Sequence, residues 1–195
     1  MTFIATTTPR RASSATRRLA REAGTIAAGL AAATTLLAAT VRAGWAAEAR
    51  DTLRFGFAGV PATAESALSI LAANGRLLVA ILAAVLVAQA PWLAGAPSRP
   101  GPILRVLRGA IDVLLTLAVA ANVALVGVAL GAYGTRMLAA LLPHGPLEVG
   151  AFATALALYR DASRGPLPPR RILSVAGGCL LALAAAALLE TFIVP

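Results

Sequence analysis

The sequence predicts an all-α, polytopic membrane bundle of about five transmembrane helices, the fourth broken at Pro143–Pro146, and three observations carry that prediction. The 195-residue chain is 59% hydrophobic and has a mean hydropathy of +0.82. Its apolar residues gather into runs that approach or exceed the ~20 residues needed to span a bilayer. Its charges fall largely between those runs, which is how a bilayer sorts a chain and not how a soluble domain distributes its surface.

Residues 1–22 form a basic tail. Thr and Ser alternate with five arginines and leave almost no continuous apolar surface, so this stretch is expected to be flexible and cytoplasmic. The net charge of +9 would suit nucleic acid if it formed one patch. Here the arginines sit between apolar runs, so nucleic acid is not expected as a partner and membrane lipid is. Every basic residue is Arg, a compositional bias that fits a GC-rich bacterial genome.

The first span is read over residues 23–41. It also has the form of a signal peptide, with small residues in "RAGWAAEA" available to a peptidase. Retention is favoured and cleavage is the alternative. Residues 42–76 mix charge, Gly and Pro and read as an external loop ending in a short amphipathic helix, Ala62 to Ala73.

Residues 77–195 hold four more spans: Leu77–Ala96, Ala110–Gly134, a broken one over Met137–Tyr159, and Ile172–Val194. Orientation follows from the arginines. Five in the tail, three in the 97–109 loop and four in the 160–171 loop place twelve of the 17 on one side. The expected location is the bacterial cytoplasmic membrane, multi-pass, with the N-terminus inside and the C-terminus outside.

Within the third span, Ala120, Ala124, Gly127 and Gly131 recur at helical spacing and make a smooth seam for close helix packing. Asn122 lies on another face near mid-membrane and is expected to hydrogen-bond a neighbouring helix. Asp112 follows Arg108 by one turn, where an i,i+4 ion pair accounts for it. Cys179 is the only cysteine, so no intrachain disulfide or CxxC site exists, and it reads as a small packing residue.

The broken span carries "LLPHGPLEVG", residues 141–150. Pro143 disfavours helix at Leu142, and Pro146 disfavours it at Gly145 while suiting the first turn of a new helix. The second piece, ending at Tyr159, is then about 21 Å long, too short to cross the hydrocarbon alone. The break therefore falls at membrane depth or its outer boundary, where irregular backbone survives only inside protein or beside a water-filled cavity. His144 is expected inside a polar enclosure, with Glu148 near the positive end of the new helix. Glu190 on the last span reaches the same depth, and Asn74, Arg76 and Arg136 lie near that boundary, completing a candidate outer polar site. No metal and no cofactor is expected: there is one histidine, and HExxH, nucleotide-binding and nucleophile–base patterns are absent.

These residues resemble the stage II sporulation protein M family of multi-spanning bacterial membrane proteins. "PHG-x-x-E" (Pro143, His144, Gly145, Glu148) is similar to its signature. The span "NVALVGVALGAYG" (Asn122, Gly127, Gly131) and the closing "LLETFIVP" (Glu190, Phe192, Pro195) are similar to segments flanking it in the same order. Asn74-Gly75 stands where the family often has an Asn pair. The resemblance covers roughly Asn74 to Pro195 and implies, in spore formers, a partner of stage II sporulation proteins D and P in the wall-degrading engulfment machinery. A non-catalytic scaffold for envelope-remodelling proteins is the favoured reading. The alternative is a permease-like subunit, which would need a separate ATPase partner. An intramembrane hydrolase using His144 and Glu148 is the least favoured.

Overall fold

The computed structural model describes residues 9–57, 59–93 and 101–193. The start of the expected tail, the 94–96 end of the second expected span, Arg99, Val194 at the end of the last expected span and the closing Pro195 lie outside those residues.

Helix formation follows the apolar runs, and the described residues form seven helices: α1 Pro9–Gly44, α2 Ala46–Leu53, α3 Ala64–Leu93, α4 Pro102–Tyr133, α5 Thr135–Leu141, α6 Gly145–Arg164 and α7 Pro169–Phe192. Prolines at the first turns of α4, α6 and α7 open those helices where a missing N–H costs nothing. Among the described residues, α1, α3, α4 and α7 are each long and apolar enough to cross a membrane, and α5 with α6 forms a further span bent by 65°.

Three boundaries differ from the sequence reading. Helix α1 starts at Pro9, so much of the stretch expected to be flexible is helical. Leu19 and Ala23 are buried against the other helices, which gives this basic segment the tertiary anchor its composition does not advertise. The short amphipathic helix and the second span are one continuous element, α3. Gly75 lies inside it, because a helical glycine costs only about 1 kcal/mol and the flanking apolar run outweighs that. The external loop instead contains α2, stopped by Arg54 in the left-handed region at φ 45°.

The chain runs back and forth between two ends of the bundle. Leu19, Gln89, Arg108 and Asp161 lie at one end, while Val41, Asn74, Gly131, His144 and Glu190 lie at the other. Side-chain contacts fix this order: Arg18 meets Asp161, Arg108 meets Ala88, and Asn74 meets Glu148. Helices α1, α4 and α7 therefore run one way and α3 and α6 the other.

The surface is apolar and the interior is small. Leu36, Leu86, Leu117, Leu125 and Leu181 point outward. Ala84, Ala88, Ala129, Ala155, Ala157, Ala162, Ala186 and Ala187 are buried. Lipid removes the usual penalty on exposed leucine, so helices associate by close approach of small residues instead. Helix α6 is enclosed by α1, α3 and α7, which explains how the segment richest in polar interruptions occupies the centre.

The seam of α4 faces α1. A Cβ added at Gly131 would stand 2.6 Å from Val41 Cβ and 2.7 Å from the Ala38 carbonyl, and one at Gly127 would stand 3.0 Å from Leu37 Cβ. At Gly131 only glycine permits that approach, while at Gly127 the Leu37 side chain would have to shift. Past it, Gly134 at φ 60° ends α4 with the Arg42 side chain packed against it.

Candidate functional site

The site is built by the break between α5 and α6. Leu142 N–H still donates to the Leu138 carbonyl at 2.9 Å, and His144 N–H donates to Leu141 at 3.3 Å. The His144 carbonyl then accepts from Leu147 N–H at 3.0 Å and Glu148 N–H at 3.3 Å, so the new helix begins immediately. Pro143 and Pro146 contribute no N–H at all. The chain turns with few orphaned backbone groups, which is the condition for a break inside an apolar assembly.

That turn carries His144 inward, where it is 6% exposed. Its Nε2 lies 3.8 Å from Glu190 Oε2 on α7, and its Nδ1 is buried with no hydrogen-bond partner. One turn along α6, Glu148 accepts a hydrogen bond at 2.5 Å from the Asn74 amide on α3. One donor atom from each of His144, Glu148 and Glu190 lies within 4.8 Å of the others. Three helices and the break thus converge on two carboxylates, an imidazole and an amide.

Two cavities flank this cluster. His144 and Glu190 line one of about 140 Å³, roofed by Phe55, Phe57, Gly59 and Val60 and floored by Met137 and Leu141. Asn74 and Glu148 line another of about 320 Å³, mostly apolar and bounded by Leu30, Val126 and Phe152. The roof is held by aromatic packing. Phe57 meets Tyr133 edge-on at 5.2 Å, and the Tyr133 hydroxyl accepts from Phe55 N–H at 2.9 Å.

Of the residues expected at the outer polar site, His144, Glu148, Glu190 and Asn74 come together. Arg136 does not join them: its guanidinium stacks 4.3 Å from the Phe57 ring centroid. Arg76 is exposed, and among the described residues no ion pair joins it to Glu148 or Glu190. Asn122 departs from expectation, because its amide donates to the Ala118 carbonyl of its own helix at 2.9 Å. It still faces the larger cavity. Asp112 also departs: it accepts from the Tyr159 hydroxyl at 2.6 Å, while Arg108 donates to the Ala88 carbonyl at 2.8 Å.

A second polar network, at the opposite end, escaped the sequence reading. Asp161 has no accessible side-chain surface and binds Arg18 at 2.6 Å and Arg171 at 2.8 Å, while Arg164 pairs with Glu22. Beside it, Gln89 donates to the Ala162 and Gly165 carbonyls at 2.8 and 3.0 Å and accepts from Leu167 N–H at 2.8 Å. Gln89 is the only amide in its apolar run and was the available signal. These groups largely pair with one another, although Glu22 Oε2 among them is buried without a hydrogen bond, so the network reads as a clasp joining α1, α3, α6 and α7. In the His144 cluster the imidazole makes no hydrogen bond, and its Nδ1 is buried without a partner. No protein family, no curated protein and no solved structure matches the chain.

Proposed function

We propose that this chain is a non-catalytic multi-pass scaffold of the bacterial cytoplasmic membrane, with its N-terminus inside and its C-terminus outside, that gathers envelope-remodelling proteins at its His144 end. The observation that carries this reading is the roofed polar cluster. His144, Glu148, Glu190 and Asn74 stand at one end of the bundle beneath a loop whose Phe55 is half exposed, and Trp45, just before α2, is exposed as well. Half-exposed aromatics around buried polar groups are what a docking surface offers a protein partner. The likeness of "PHGPLE" to the stage II sporulation protein M signature supports the same reading, as does the lack of a paired nucleophile and base.

Mild detergent extraction followed by co-purification tests the proposal. Wall-degrading or division proteins should accompany the wild-type chain, and Phe55→Ala with Trp45→Ala should release them while leaving insertion intact. Recovery of the same proteins with that double variant would overturn the docking surface.

One observation favours a second reading. The cluster separates two cavities, one on each side of Glu148 and His144, which is the placement a permease-like subunit uses at a broken helix. A stoichiometric ATPase in the eluate, without wall enzymes, would select it.

A further inference from the structure

We propose that His144, Glu148 and Glu190 form a binding site for a divalent first-row transition cation. The proposal concerns the cluster described above but stands independently of any docking partner.

The donor set comes first. One imidazole and two carboxylates supply the nitrogen and oxygen ligands that Zn²⁺, Mn²⁺, Fe²⁺ and Co²⁺ accept, whereas Ca²⁺ and Mg²⁺ favour oxygen alone. The three donor atoms lie within 4.8 Å of one another. Around a tetrahedral ion, bond lengths near 2.0–2.2 Å put neighbouring donors roughly 3.4 Å apart. His144 Nε2 and Glu190 Oε2, at 3.8 Å, are close to that spacing and too far apart for a hydrogen bond. Rotation of the two glutamate side chains draws the rest inward.

The histidine supplies an independent observation. It is 6% exposed and neither ring nitrogen makes a hydrogen bond: Nδ1 is buried without a partner, and Nε2, 3.8 Å from Glu190 Oε2, is the nitrogen placed to coordinate. Buried polar atoms are seldom left without a partner. Nothing else facing the cluster provides one: Arg136 is engaged over Phe57, and among the described residues no arginine pairs with Glu148 or Glu190. Two carboxyl groups stand at one spot in an apolar assembly with a single imidazole beside them, and a divalent cation would hold both in their charged form.

Supporting geometry is present as well. Asn74 fixes one oxygen of Glu148 at 2.5 Å, leaving the other to coordinate, which is how a neighbouring residue orients a ligand. The 140 Å³ cavity borders His144 and Glu190 and gives space for water or an external ligand at a remaining coordination position. Membrane depth alone groups Glu190 with His144 and Glu148 in the sequence; the structure adds that their donor atoms lie within 4.8 Å of one another.

The test uses the full-length chain in detergent, carrying a tag without histidine and stripped with chelator. His144 and Cys179 are the only histidine and cysteine, so few competing soft or imidazole sites exist. Titration with Zn²⁺ against a chromophoric chelator should show one equivalent bound, and Co²⁺ should give visible absorption bands that Zn²⁺ displaces. His144→Ala and Glu190→Gln should each weaken Zn²⁺ binding by about 100-fold, and Asn74→Ala by about 10-fold. If His144→Ala does not fold, Glu148→Gln together with the wild-type Co²⁺ spectrum decides the matter. Excess Ca²⁺ or Mg²⁺ should not compete. Substoichiometric Zn²⁺ binding, or equal binding by wild type and variants, would overturn the proposal while leaving the co-purification result to judge the docking surface.

Discussion

At the residue scale the chain places its few buried polar groups where another helix completes them. Asp161 shows the rule most clearly, with two arginines on a carboxylate that has no accessible surface. Removing it leaves Arg171, whose side chain is 20% exposed, with only the Ala15 carbonyl as acceptor, and Arg18, 62% exposed, without its ion pair. Losing hydrogen bonds to a charged group in this way costs about 1.5–3 kcal/mol. Asp161→Ala should therefore lower thermal stability in detergent, seen as a clear fall in melting temperature of the helical signal. Gln89→Leu should act in the same direction by roughly 1–3 kcal/mol, because Leu167 N–H and the two carbonyls lose their common partner. Neither residue's role was legible in the sequence. Asp161 reads as a boundary charge beside Arg160, and its partners Arg18 and Gln89's partner Leu167 lie more than 70 positions away in the chain. His144 and Glu148 were legible, because two prolines and a glycine inside an apolar run have a local physical consequence.

At the element scale, helix breaks and small-residue seams set which helices meet. The sequence predicts the seam of α4 from its spacing, since close approach needs glycine whatever the partner. It does not identify α1 as that partner, because alanine and threonine recur around much of α1. Gly131→Leu would drive a branched side chain into Val41 and the Ala38 carbonyl, where a single Cβ already stands within 2.7 Å. A loss of about 1–3 kcal/mol or more is expected, read as early unfolding. Substitution at Gly150, which has open space around it, should have little effect. Similarly, Pro143→Ala with Pro146→Ala restores helical capacity across the break. The 65° bend between α5 and α6 should then relax, and His144 should lose its place opposite Glu190. The start of α1 was the least legible boundary: composition marks residues 9–22 as a solvated tail, but packing of Leu19 and Ala23 holds them in a helix.

At the scale of the whole molecule, an apolar exterior over an alanine-rich interior is the arrangement that suits a bundle to lipid or detergent. Membrane-spanning segments were legible from length and hydropathy alone, while the enclosure of α6 was not, since it depends on which helices neighbour it. The arginine distribution gives an orientation that can be read on intact cells. Ala62→Cys at the His144 end should react with an impermeant maleimide added outside, and Gly101→Cys at the opposite end should react only after permeabilisation. The reverse pattern would invert the proposed topology and remove the docking surface from the cell exterior.

Convergence of α6 and α7 at the break underlies both the docking and the cation proposals, and thiol crosslinking tests it most directly. In a Cys179→Ala background, His144→Cys paired with Glu190→Cys should be joined rapidly by a short bifunctional thiol reagent in native membranes, and His144→Cys paired with a cysteine at Leu173, at the far end of α7, should not. Failure of the first pair to crosslink, or equal crosslinking by both, would contradict a helix break that delivers His144 to Glu190.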